Sequence, residues 1–238
     1  MIKPRKKYFK SIVVLASAAA LVVVGSVMAY FSSTDQTTNK FTGSRFDIFL
    51  METRWDAEKA KGVLPGDELE KNPQVINKEH TDGYIYLRVT VPCDVQMVDN
   101  DNGTPKANAL ENVPMYKFVT TAGTSDTTFS PAQAVNDNWT LVQVTGSQNG
   151  YTYFDEENDK YIYVYAYTDG ANLNPLHQNE ITNPLFDKLK LWNFNESYDP
   201  DENHGVRVEA LGIQTDLPGH DAGDIVEIWQ LLESEVGT

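Results

Sequence analysis

Four histidines, His80, His177, His204 and His220, and the single cysteine, Cys93, are the side chains best suited to hold a metal or attack a substrate. They are scattered through loop-like contexts. No His-Glu-x-x-His helix is present, and the nearest pairing, His177-Gln-Asn-Glu180, reads as a chance His-x-x-Glu. Leu217-Pro-Gly-His-Asp-Ala222 is not a nucleophile elbow, and neither a P-loop nor a Gly-x-Gly-x-x-Gly occurs. Asp99-Asn-Asp-Asn-Gly103 resembles the start of a calcium loop. It lacks the third acid before the glycine and a distal glutamate, so ordinary turn chemistry is the plainer reading and calcium the alternative. The residues therefore predict no catalytic, cofactor or metal site, and a protein that is not an enzyme.

The other chemically distinctive group is a set of six tyrosines. Tyr84-Ile-Tyr-Leu-Arg-Val-Thr-Val91 and Tyr161-Ile-Tyr-Val-Tyr-Ala-Tyr167 alternate with period two, the signature of half-buried strands. With the aliphatic residues inward, Tyr84, Tyr86, Tyr161, Tyr163, Tyr165 and Tyr167 face outward as a possible interface, because rigid amphipathic rings suit protein or glycan contacts. The alternative is that loops or a helix cover them.

These segments belong to a series. Asp155–Asp159 reads as the turn of a hairpin joining Gly150–Phe154 to the second tyrosine strand. Further strands are expected over Phe46–Glu52, Leu69–Ile76, Met115–Thr121, Trp139–Val144, Leu189–Phe194 and Val206–Gln214, separated by loops such as Asp99–Lys106, Gly123–Ser130 and Glu196–Gly205. Short helices are expected near Asp56–Lys61 and over Asp224–Leu232, the latter with Ile225, Ile228, Trp229 and Leu232 on one stripe. Many short strands without long intervening helices predict an all-β protein, an antiparallel jelly-roll-like sandwich closed by a C-terminal helix.

Charge is distributed unevenly. Of 19 basic and 34 acidic residues, five bases and no acid fall within residues 1–29, so removing that segment takes the net charge from −15 to −20. An acidic body is repelled by nucleic acid and by anionic lipid, which argues against both as main partners. Residues 1–29 read as a secretory signal: Lys3, Arg5, Lys6, Lys7 and Lys10, then an apolar stretch over Ile12–Val24, then Val27 and Ala29 fitting the −3 and −1 pockets of a signal peptidase. Cleavage is expected between Ala29 and Tyr30; an uncleaved membrane anchor is the competing reading. Either way residues 30–238 lie outside the cytoplasm, where Cys93, beside Pro92 at a strand end, reads as a small buried hydrophobe. Residues 30–42 differ from the body, being Thr- and Ser-rich with Phe31 and Phe41, a segment able to become a strand where an edge is offered.

Several stretches resemble the TasA/camelysin family, and most closely its BsaA-type branch of biofilm-matrix proteins exported through a SipW-type signal peptidase. They are Ala29-Tyr-Phe-Ser-Ser-Thr-Asp-Gln-Thr-Thr-Asn-Lys-Phe-Thr-Gly43, Trp55-Asp-Ala-Glu-Lys59, Leu64-Pro-Gly-Asp-Glu-Leu-Glu-Lys-Asn-Pro-Gln-Val-Ile-Asn77 and Tyr86-Leu-Arg-Val-Thr-Val-Pro92. Asn183-Pro-Leu-Phe-Asp-Lys-Leu189 and Val208-Glu-Ala-Leu-Gly-Ile-Gln-Thr-Asp216 continue the likeness to the Trp229 helix. The resemblance implies a secreted jelly-roll subunit of a Gram-positive cell surface that self-associates into matrix fibres. Tyr30 to about Phe41, freed by cleavage, would complete the sheet of the next subunit. Three segments are therefore expected: a signal peptide (1–29), a donor strand (30–45) and a β-sandwich (46–238). Camelysin relatives have been labelled metalloendopeptidases, but no zinc-ligand motif carries over to this chain. A secreted metalloendopeptidase and a monomeric surface adhesin are the alternative functions.

Overall fold

A computed structural model describes residues 46–56, 59–60, 62–96, 111–123, 130–146, 150, 152–191, 205–221 and 224–236, with the backbone alone for 94–96, 111–113 and 235–236. The signal segment, the Ala29–Tyr30 cleavage site, Phe31, Phe41, Asp99–Gly103 and His204 lie outside the described residues.

The described chain is all-β with one C-terminal helix, and every strand pair is antiparallel. In chain order the strands are β1 (Ile48–Glu52), β2 (Glu68–Glu70), β3 (Pro73–Asn77), β4 (Gly83–Gln96), β5 (Glu111–Pro114), β6 (Tyr116–Val119), β7 (Trp139–Leu141), β8 (Tyr153–Asp155), β9 (Lys160–Asp169), β10 (Asn172–Leu173), β11 (Lys188–Leu191) and β12 (Arg207–Gln214), followed by helix α1 (Ile225–Val236).

The first sheet is built around β4, which pairs with β12 on one side and β9 on the other; β7, β8 and β10 continue beyond β9. In the second sheet β1 pairs with β3, and β2 pairs with β11, which pairs with β6. Residues 176–191 run antiparallel to 66–83 and join these pieces, through bonds such as Gly83 N–H to Leu176 O (3.2 Å), Leu185 N–H to Pro73 O (2.9 Å) and Gly66 N–H to Leu191 O (3.0 Å). The single strand expected over Leu69–Ile76 is interrupted between β2 and β3. Lys71 there bonds Glu52 (2.7 Å) over the Trp55 ring, and Asn72 accepts from Arg54 N–H (2.8 Å), so two buried polar side chains hold the turn after β1. Of the stretch Asp56–Lys61, where a short helix is expected, only residues 56, 59 and 60 are described; 59 and 60 lie in a turn, with Ala60 N–H bonded to Asp56 O.

Two apolar cores result. The larger lies between the sheets and takes Ile85, Leu87, Val89 and Val91 from β4, Ile48 and Leu50 from β1, and Leu189 and Leu191 from β11. The smaller lies on the other face of the first sheet, under α1, where Ile228, Trp229 and Leu232 meet Tyr84, Tyr86, Val164, Ala166 and Leu211. Asp224 caps the helix by accepting from the N–H groups of Val226 and Glu227, both at 2.9 Å.

Glycine matters at one contact in particular. The Phe46 ring lies where a β-carbon on Gly83 would sit, and 2.8 Å from the corresponding point on Gly212. Any larger residue at position 83 collides with that ring.

Candidate functional site

The six tyrosines are not an open interface. Directly opposed residues of an antiparallel pair share a face, and the register sets Tyr165 against Leu87, Tyr163 against Val89 and Tyr161 against Val91. The β9 tyrosines therefore join the core between the sheets, while Ile162, Val164 and Ala166 turn toward α1, the reverse of the orientation expected for β9. Tyr163, Tyr165 and Tyr167 are buried and Tyr161 packs against that core. Tyr84 and Tyr86 face the way the alternation predicts, but α1 covers them. Tyr86 donates its hydroxyl proton to Ile225 O (2.9 Å), Trp229 Nε1–H donates to Tyr153 Oη (2.9 Å), and Tyr153 donates in turn to Glu233. Burial, reinforced by the charges of Asp224 and Tyr84, pushes Tyr86 well above the ordinary phenol range. Burial and the Glu233 bond do the same for Tyr153.

The described histidines stand on the surface in separate small clusters. His177 Nδ1 meets Asp82 at 2.9 Å and is pushed above its ordinary value by that bond, and Glu180 accepts from the His177 backbone N–H. His80 Nδ1 meets the Gln178 amide at 2.7 Å, and His220 meets Glu227 at 2.9 Å. Among the described residues no three His, Cys, Asp or Glu side chains gather as metal ligands would. Cys93 is buried on β4.

The outward face of the second sheet carries charge in a ladder. Glu68 and Glu70 on β2 meet Lys188 on β11 at 3.0 and 3.4 Å, and Arg54 reaches Glu70 at 3.7 Å and Asp187 at 2.7 Å. Asp187 also accepts from Thr121 Oγ1 (2.7 Å) and Asn136 Nδ2 (3.2 Å). Partial burial would raise its carboxyl; the bonds from Thr121, Arg54 and Asn136 outweigh that and hold it below the usual carboxylate value.

Farther along the same sheet, β1 offers a different feature. Lys78 N–H donates to Asp47 O (2.9 Å), so residues 47, 49 and 51 exchange bonds with β3, while the N–H and C=O of Ile48 and Leu50 turn away from it. The matching groups on the far side of β3 are met: Val75 N–H by Thr182 Oγ1 (2.9 Å), and Asn77 N–H by Glu180 O (3.1 Å). β1 has only β3 as a paired neighbour among the described strands. Its core-side residues Ile48 and Leu50 are already buried. Phe49 and Met51, on the outward side, belong to neither core and remain partly exposed. Phe49 stands opposite Ile76, which stands opposite Ile181, so three apolar side chains form a cross-strand row ending in Ile181, 46% exposed. Beside Phe49, Asp47 holds a buried Oδ1 with no hydrogen-bond partner.

Sequence reasoning missed this edge because Phe46–Glu52 alternates like any half-buried strand, and only the pairing shows which side lacks a neighbour. Comparison with known protein families, curated proteins and solved structures finds no match to this chain.

Proposed function

We propose that the chain is an exported structural subunit that polymerises into extracellular biofilm-matrix fibres, each copy lending residues 30–41 as a strand to the next. The observation that carries this reading is the β1 edge, whose Ile48 and Leu50 backbone groups face away from β3 in a strand that follows directly on the candidate donor. Unpaired strand edges are templates for β-augmentation, and a contact between a donor on one copy and an edge on another repeats head to tail without closing. The likeness of residues 29–43 and of later stretches to the TasA/camelysin family supports the same reading, as does a sequence resembling an export signal. Cleavage at Ala29 by a SipW-type peptidase would free the donor, and the product would act in the matrix or at the cell surface.

Protein beginning at Tyr30 should form filaments on negative-stain electron micrographs, while protein beginning at Thr42 should sediment as a monomer at every concentration. Filaments from the shorter protein would overturn strand donation. Filament growth should quicken in acid or salt, because a body of net charge −20 resists stacking until its carboxylates are protonated or screened. Chelator-sensitive casein hydrolysis by the mature protein would instead favour the metalloendopeptidase reading, and concentration-independent sedimentation of protein beginning at Tyr30 a monomeric adhesin.

A further inference from the structure

We infer that the β1 edge receives the incoming strand of a second copy antiparallel, in a register that sets Phe31 across from Phe49 and Ser33 across from Asp47. This inference rests on the strand-donation reading and specifies where and how the donor sits.

The edge itself states what the occupant must supply. Ile48 and Leu50 already fill the core side, so the apolar surface left to cover lies on the outward side, at Phe49, Met51 and the exposed end of the row at Ile181. The occupant should therefore carry an apolar side chain on its outward face, and tolerate small polar groups on the other. Between Tyr30 and Phe41 there are two phenylalanines. With Phe41 outward, alternation turns Lys40 toward the buried Ile48 and Leu50. With Phe31 outward, alternation turns Tyr30, Ser32 and Thr34 inward, none of them charged. Phe31 is thus the fitting residue, and it extends the Phe49–Ile76–Ile181 row by one aromatic–aromatic pair.

A second observation favours one direction. Running antiparallel from Phe31 opposite Phe49, the next outward residue, Ser33, falls opposite Asp47. The buried Asp47 Oδ1 lacks a donor, and a serine hydroxyl is one. A parallel strand in the same register would place Ser33 by Met51 and leave Asp47 unanswered. Electrostatics also favours this occupant: residues 30–41 hold one acid, Asp35, and one base, Lys40, and are neutral, whereas the remainder of the mature chain carries the whole net charge of −20. β1 ends at Glu52, so in this register only a residue or two ahead of Tyr30 would find a strand to pair with.

The test uses protein beginning at Tyr30 with Cys93→Ala, made as two populations carrying Phe31→Cys or Phe49→Cys, then mixed, assembled and mildly oxidised. Residues opposed at a non-hydrogen-bonded antiparallel position come within about 4.5 Å between α-carbons, inside the range a disulfide spans. A mixed disulfide dimer is expected, and likewise for Ser33→Cys with Asp47→Cys, but not for Phe41→Cys with Phe49→Cys. Because Phe31→Cys itself removes the ring, the uncrosslinked variants provide a second measure. Phe31→Ala should raise the critical concentration for assembly about tenfold, and Phe41→Ala about twofold or less. Filaments that form without the Phe31–Phe49 and Ser33–Asp47 links overturn the register and leave strand donation standing. A failure of unsubstituted protein to form filaments overturns both, and a disulfide formed within one copy carrying both cysteines overturns the second-copy assignment.

Discussion

The outward faces of the two sheets solve the same problem differently. On the first sheet, β4 and β9 are too apolar on both sides to meet water, so α1 is laid across Tyr84, Tyr86, Val164 and Ala166 and forms a second core. On the second sheet, β11 alternates Lys188, Leu189, Lys190 and Leu191, half-buried with buried, and its outward charges are arranged as a ladder. One face gains its stability from area removed from water, the other mostly from which groups it keeps wet. The energies involved differ accordingly, since a buried aromatic is worth several kcal/mol and an exposed ion pair a fraction of one.

The sharpest way to break that contrast is to strip the covered face. Trp229→Ala removes a buried ring that touches Tyr86 (centroids 5.7 Å apart) and donates to Tyr153, and should lower unfolding free energy by about 3–5 kcal/mol in chemical denaturation. A loss under about 1 kcal/mol would mean that α1 is an ornament and that both faces are alike. Gly83→Ala comes next, at about 1–3 kcal/mol or more by the same measurement, because the Phe46 ring must leave its seat. Asp187→Ala, on the open face, should cost about 2 kcal/mol, since it abandons Arg54, Thr121 and Asn136 together. Lys188→Ala should cost less than about 1 kcal/mol, and less still in high salt.

The same comparison predicts opposite responses to pH. Tyr86 and Tyr153, on the covered face, hold their phenolic protons above the ordinary phenol value of 10.0, so the linked stabilisation is complete below about pH 10 and is lost as pH rises further. Asp187 is held below the ordinary carboxylate value of 3.8, so its contribution is present above that pH and is lost as pH falls through the depressed value. Thermal melting across pH should show an alkaline limb in which phenol ionisation, followed by ultraviolet absorbance, coincides with unfolding. Asp187→Asn should flatten part of the acid limb and leave the alkaline limb in place.

Much of this architecture was legible in the sequence. Period-two alternation located β4, β9 and β12, the acidic turn located the β8–β9 hairpin, and the Ile225–Leu232 stripe located α1. What could not be read was anything decided by pairing. The tyrosines of β9 point inward because the register sets them opposite Leu87 and Val89, and a strand apolar on both faces offers no internal signal of which face is the core. The break between β2 and β3 depends on Glu52 and Trp55, which reach Lys71 from the preceding strand and turn. The β1 edge became visible only as a neighbour's absence among the described strands, which no property of Ile48 or Leu50 announces.

Phe46 stands first among the described residues, its ring against Gly83 and Gly212 on the two long paired strands of the first sheet. A pull on the leading end of β1 therefore loads that ring. To draw the segment out, the ring must slide from beneath strands tied to each other along eight paired positions, from Arg207↔Thr90 to Gln214↔Gly83. The seat works as a cleat: a pull on the leading end of β1 is shared with the paired strands β4 and β12.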